Sequence, residues 1–201
     1  MSKMSKLILI SCILLLGTFM VFSQPVSVSL LNESTAIPYT RFITTPIHPG
    51  IQFGTEGDLK QYTHTRLFFA VHIGYFYHKS FAQGIYIKPS LGFEYRHSSG
   101  FAVAGSFGLG YLHTFTTQEE YRLEEGSYVK HRDSGNARIM PSLALNLGYY
   151  LKPEQSQSPK IFFGYESWIE YPFSPGFIPV MTHVTTQLGV QFYPFENRKN
   201  E

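Results

Sequence analysis

Eight histidines are the side chains in this chain most able to do chemistry, because a neutral imidazole both accepts protons near neutral pH and ligates transition metals. They are His48, His64, His72, His78, His97, His113, His131 and His183, and no His-Glu-x-x-His or other recurring ligand spacing joins them. Spacing alone therefore predicts no metal set. There is also no nucleophile elbow, phosphate-binding Gly loop or nucleotide fingerprint, so neither a catalytic set nor a cofactor is expected. One histidine grouping is worth a binding role: His48 and His183 fall at segment ends near Glu170, although histidines at a rim are the ordinary alternative.

A second set of reactive groups is ionic. Arg66, Lys88, Arg96 and Arg138 stand against Glu56, Glu94, Glu166 and Glu170, all at alternate positions of otherwise apolar or small-residue stretches. Such balanced charges, if enclosed, must pair to be tolerated, and they predict salt bridges between neighbouring segments. Structural filling is the simpler reading; a proton path or catalytic use of one Glu stays open.

The elements that must position these groups are strands. From Arg66 to His78, Leu67, Phe69, Val71, Ile73, Tyr75 and Tyr77 alternate with Arg66, Phe68, Ala70, His72, Gly74 and Phe76, and a period of two is the strand signature. The same alternation predicts strands at 50–57, 84–96, 101–116, 138–151, 161–171 and 183–192. Seven strands do not close a barrel with both ends on one side, so an eighth is expected, and Pro38 to Thr45 is the stretch assigned to it. The fold expected is all-β: a single closed antiparallel up-and-down transmembrane β-barrel of about eight strands.

The apolar face is predicted to look outward, into lipid. Charged residues make up only 15% of the chain and aromatics 16%, against a charged share of about 25% in soluble domains. The other face is mostly Gly, Ala and Ser, which suits the crowded interior of a small barrel better than a surface in water. A soluble lipocalin-like ligand-binding barrel is the alternative, with the two faces exchanged. A net charge of +2 with no Lys/Arg cluster excludes a nucleic-acid binder, and a single cysteine, Cys12, excludes disulfides.

Lys3 and Lys6, the apolar run Leu7 to Phe22 and the small residue Ser23 predict a signal peptide over 1–23. An N-terminal segment over 24–49 holding the possible first strand, a barrel over 50–195 and a polar tail over 196–201 complete the expected organisation. Two loops are predicted to face the exterior. Thr117 to Asn136 carries Glu119, Glu120, Arg122, Glu124, Glu125, Lys130, Arg132 and Asp133, and reads as a solvated tip or short hairpin. Binding of lipopolysaccharide sugars or divalent cations is its sharper alternative. Pro172 to Thr182 is apolar and proline-stiffened, which makes Phe173 and Phe177 candidate contacts to lipid or a partner unless the loop folds back on the rim.

The pair His97-x-Ser99 resembles one element of the outer-membrane lipid A deacylases, a resemblance that implies a lipid-modifying hydrolase as the alternative function. Here Gly100 follows the Ser in place of the family's Asn, and the pair falls in a turn. The wider pattern is more general. The signal ending before Gln24, His48-Pro49-Gly50 leading into Gly54-Thr55-Glu56, and Glu170-Tyr171-Pro172-Phe173 with Ile178-Pro179-Val180 resemble the small outer-membrane β-barrel proteins of Bacteroidota-type bacteria. That resemblance implies an outer-membrane location in contact with lipid and lipopolysaccharide, insertion by the barrel assembly machinery, and no catalytic residue. The function expected is that of a non-enzymatic barrel with a filled lumen, presenting its external loops for structural or binding roles.

Overall fold

Alternation of large apolar and small or polar residues produces ten strands in the computed structural model, which describes residues 24–40, 44–79, 81–124, 126–131, 133–174 and 176–194. The expected signal peptide and polar tail lie outside these residues. The strands are β1 (Val26–Thr35), β2 (Pro49–Gln61), β3 (Thr65–Tyr77), β4 (Ala82–Arg96), β5 (Phe101–Thr116), β6 (Glu120–Glu124), β7 (Ser127–His131), β8 (Asn136–Tyr150), β9 (Lys160–Glu170) and β10 (Met181–Phe192). Eight of them close an antiparallel barrel in the order β1-β10-β9-β8-β5-β4-β3-β2, and β6 and β7 form a separate two-stranded hairpin. Among the described residues no helix is long and apolar enough to cross a membrane.

One expected element is displaced. The eighth barrel strand is Val26–Thr35, not Pro38 to Thr45, and the barrel therefore begins well before residue 50. The physical reason lies in the two sequences. Val26, Val28 and Leu30 alternate with Ser27, Ser29 and Leu31, and this stretch keeps every backbone N–H, whereas Pro38 has none to offer a ladder. β1 uses both of its edges, pairing with β10 from Val26↔Phe192 to Thr35↔His183 and with β2 from Val26↔Thr55 to Asn32↔Pro49. Closure leaves the barrel sheet itself without a free edge strand.

Both termini of the barrel meet at one end, together with the short connections 62–64, 97–100 and 151–159. In the 97–100 turn Gly100 adopts φ 96°, a left-handed conformation that side-chain-bearing residues rarely hold. The opposite end carries the connections 36–48, 78–81, 117–135 and 171–180. The two ends are called here the terminal end and the loop end.

The two faces separate as the alternation requires. Leu67, Ile73, Ile87, Leu91, Phe107, Leu109, Leu145, Leu147, Phe163 and Leu188 are all exposed on the outside. Tyr165 is an exception: it shares the outward parity of Phe163 yet is buried, because the segment after β1 packs over it, with the Tyr39 N–H donating to Tyr165 Oη at 2.8 Å. Inside, Phe76, Tyr86, Leu112, Met140 and Trp168 join Leu31 as an apolar cluster near the loop end. The faces of a water-soluble ligand-binding barrel would be the reverse.

Large inward rings are accommodated by glycines directly across the ladder. Phe68 pairs with Gly92, Tyr86 with Gly74, Phe76 with Gly84, and Phe162 with Gly189. A Cβ at Gly74 would lie 2.3 Å from Tyr86 Oη, which donates to Gln52 Oε1 at 2.8 Å, so the added methyl must displace a bonded ring. Gly74→Ala is expected to lower unfolding stability by about 1–3 kcal/mol, as overpacked interiors do. Gly105→Ala is the contrast: its Cβ would meet only Leu145 at 3.8 Å, and a change within about 0.5 kcal/mol is expected. Urea unfolding of the two variants in lipid vesicles measures the difference.

Candidate functional site

The inward charges form three groups rather than one. Toward the terminal end, Glu94 is the hub: Arg66 Nε donates to its Oε1 at 2.9 Å, Lys160 Nζ to its Oε2 at 2.9 Å, and the Tyr150 hydroxyl also donates to Oε1. The remaining guanidinium nitrogens of Arg66 reach Glu56 and Asp58, the latter at 2.9 Å. Midway along the lumen, Lys88 pairs with Glu166, both almost fully buried. Near the loop end, Arg138 Nε donates to Glu170 Oε1 at 2.9 Å. Arg96 departs from the expectation of a salt bridge. It stacks on Tyr150 at 4.0 Å and donates to the Pro153 carbonyl, and among the described residues it pairs with no carboxylate.

Glu33 and Lys160 belong to these groups and were not among the residues expected there. Glu33 sits on β1, outside the stretch Pro38 to Thr45 where the eighth strand was expected. Lys160 opens β9 directly after Pro159, where the alternation has not yet declared itself.

The pairs close the interior. Gln187 accepts from Ser29 and Gln52, both at 3.2 Å, and donates to Asn146 at 3.2 Å, so polar side chains from four strands bridge the lumen between the ion-pair groups. A cavity of about 60 Å³ beside His72 and Gln187 is room for a few waters and no more. At the terminal end the lumen opens into a shallow mouth of about 310 Å³ bordered by Tyr62, Arg66, Arg96 and Tyr193.

The loop-end cluster has the most varied chemistry. His183 is buried, with Nδ1 at 2.7 Å from Glu33 Oε1 and Nε2 at 3.4 Å from Glu170 Oε2, and its ring lies flat on Trp168 at 3.9 Å and 6°. Arg138, Glu170, His183 and Glu33 thus form a continuous chain across β8, β9, β10 and β1. His48 meets neither His183 nor Glu170 directly. It reaches the chain through the backbone of Glu33, whose carbonyl accepts from His48 Nδ1 at 2.8 Å while the Glu33 N–H donates to the His48 carbonyl at 3.0 Å. On its other side the His48 ring lies 3.5 Å from that of His78. Among the described residues, Glu33, His48 and His78 are the one group of three whose potential ligand atoms come within 4.8 Å of one another. No short spacing could have revealed this set, since its members come from β1, the end of the first long connection and the residue just after β3.

The two loops flank this cluster differently. Phe173 stacks on Phe81 at 5.6 Å, and Phe81 in turn meets the edge of His78 at 5.6 Å, so the proline-rich loop folds back on the rim at this point. Phe177, at its tip, is 82% exposed and takes no part. The charged loop is a hairpin extension built from β6 and β7. On it Lys130 and the Tyr121 hydroxyl both donate to Glu119, and the hydrogen bond from Lys130 holds the Glu119 carboxyl below the ordinary carboxylate range.

His97 and Ser99 do meet, with Nδ1 and Oγ 2.8 Å apart, but Nδ1 also accepts the Ser99 N–H at 3.2 Å. The pair is an exposed lock on a tight turn at the terminal end, on the opposite side of the barrel from the long loops.

No family model matches this chain, and no curated protein matches it. Solved structures do. Neisserial surface protein A (NspA) is 10% identical, with 85% of this chain and 95% of that chain covered and a TM-score of 0.53. The outer membrane enzyme PagL is 10% identical over 84% of this chain and 98% of that one, with a TM-score of 0.48. Ail, the attachment invasion locus protein of Yersinia pestis, is 11% identical over 86% and 100%, also at 0.48. At such identities the likeness to NspA is one of fold, that of a small closed antiparallel barrel.

Proposed function

We propose that the protein is an outer-membrane β-barrel with a filled lumen, non-enzymatic, whose role is exercised at the loop end. The observation that carries this reading is the outer surface. A band of exposed Leu, Ile, Val and Phe side chains on neighbouring strands is bordered by Tyr75, Tyr77 and Tyr111 toward the loop end and by Tyr95, Tyr149 and Phe192 toward the terminal end. Aromatic girdles flanking an apolar band are the signature of a barrel in lipid, and so large an apolar surface would associate in water. The connection lengths support an orientation with the terminal end toward the periplasm, since three of the four loop-end connections, 36–48, 117–135 and 171–180, are longer than any at the other end.

In this reading the segment 1–23 exports the chain, the barrel assembly machinery inserts it, and outer-membrane lipid and lipopolysaccharide surround it. The paired interior supports a role other than that of an open pore. The exterior then offers the Glu120–His131 hairpin and the Phe173–Phe177 turn as its contact surfaces for a structural or binding task.

The folded protein is expected in the outer-membrane fraction and to migrate on gels differently before and after boiling, as closed barrels do. Recovery as a soluble periplasmic protein would overturn the assignment. A lipid-modifying hydrolase is the competing activity, and lipid A mass spectra that change on overexpression would overturn the non-enzymatic reading. His97 and Ser99 give that activity no support, because the proposed orientation puts them on the periplasmic side, away from the outer leaflet.

A further inference from the structure

We propose that Glu33, His48 and His78 form a binding site for a divalent transition-metal ion at the loop end of the barrel, with zinc as its simplest occupant. This goes beyond the membrane role and does not depend on it.

Three observations converge. The first is ligand state. The Glu33 carbonyl can only accept, so His48 carries its proton on Nδ1, and Nε2 is left with a free lone pair. An imidazole whose other nitrogen donates to a backbone carbonyl is the usual arrangement of a metal-bound histidine. The second is an unmet need: His78 Nδ1 is buried and has no hydrogen-bond partner. The third is proximity. One potential ligand atom from each of Glu33, His48 and His78 lies within 4.8 Å of the others, and the two imidazoles are in direct contact, closer than the roughly 4.5–7 Å of ordinary ring pairs.

Ligand atoms bound to one zinc at about 2.0–2.2 Å lie about 3.3 Å apart in a tetrahedron. The present spread of up to 4.8 Å has to close toward that value when an ion binds, with the two rings turning their nitrogens to it. Two imidazoles and one carboxylate suit zinc, nickel or copper rather than calcium or magnesium, which take sets composed of oxygens. A fourth position remains for water.

The surroundings serve the same purpose. His183 Nδ1 holds Glu33 Oε1 at 2.7 Å and orients the carboxylate, and Glu170 and Arg138 extend that support outward. Ligating carboxylates are commonly held in this way. His78 is only half-buried, which leaves the ion a route from the loop end.

The test is zinc binding by the full chain without an affinity tag, folded in a zwitterionic detergent and dialysed against ZnCl₂. One zinc per chain is expected. His78→Ala and His48→Ala should each weaken binding at least 100-fold, and His64→Ala, at the far end of the barrel, should leave it unchanged. Heat-modifiable migration reports folding of each variant separately from metal binding, so a failure of the site and a failure of the barrel are distinguishable. If His48→Ala does not fold, His78→Ala and the visible ligand-field bands of the cobalt-loaded wild-type chain decide. Absence of stoichiometric zinc, or binding by His78→Ala equal to wild type, would overturn the proposal.

Discussion

Glu94→Ala is expected to destabilise the barrel by about 3–5 kcal/mol, the cost of leaving buried charges without their counterion. Glu94 is 2% exposed and accepts from Arg66, Lys160 and Tyr150 at once. Its loss does not strand all three equally. Arg66 keeps Glu56 and Asp58, whereas Lys160 has no other salt bridge among the described residues and is left with the Tyr150 ring at 5.3 Å. The deficit should therefore centre on Lys160, and a second substitution identifies it. Adding Lys160→Met to Glu94→Ala removes the stranded ammonium, so the double variant should be more stable than Glu94→Ala alone and far from the sum of the single effects. Urea unfolding in lipid vesicles reads both quantities. Equal stability of Glu94→Ala and wild type would show that the lumen is wet enough to solvate these charges, contrary to the filled interior.

A lysine on the outward face has a comparable effect for a different reason. Leu145 is exposed among Leu143 and Leu147 in the apolar band of β8. In a bilayer, Leu145→Lys places an ammonium near the hydrocarbon midplane and should cost about 2–4 kcal/mol. Leu151→Lys, just beyond the terminal end of β8 and equally exposed, should cost only about 0–1 kcal/mol because the lysine reaches the interface. The depth dependence is the discriminating result. In water the two positions are equivalent, so two neutral substitutions would count against lipid as the solvent of this surface.

These two expectations differ in how far the sequence alone could have led to them. Leu145→Lys follows from the alternation of 138–151, since a residue's face on a pleated strand is set by its parity. Parity also placed Glu94, Lys88 and Glu166 inside, and the observed burial agrees. Tyr165 shows where parity falls short: it faces outward as the alternation requires, yet a connecting segment covers it. The partners of Glu94 lie further from what a period of two can express. Arg66 and Lys160 are 28 and 66 residues away, and which inward side chains meet depends on the stagger between strands.

The strand at Val26–Thr35 illustrates the same boundary. Its Val-Ser-Val-Ser alternation is visible, but the run is short and fades into Asn32-Glu33-Ser34-Thr35, so a stretch bounded by prolines competes with it for the eighth place. Closure decides between them: β1 alone satisfies the free edges of both β10 and β2. Once β1 is in place, Glu33 arrives beside His183, 150 residues distant in the chain, and the loop-end cluster exists.

Local alternation, a property of successive residues on one pleated backbone, determined by itself that this chain is built of strands with one apolar face and one small-residue, charge-balanced face, and the composition of those faces made a barrel with the apolar side outward the expected arrangement. The meeting of Glu33, His48, His78 and His183, and the division of the interior charges into three groups, were decided only by the tertiary structure. The reason is geometric: a period of two states which way a side chain points, while the register of eight closed strands states what it finds there.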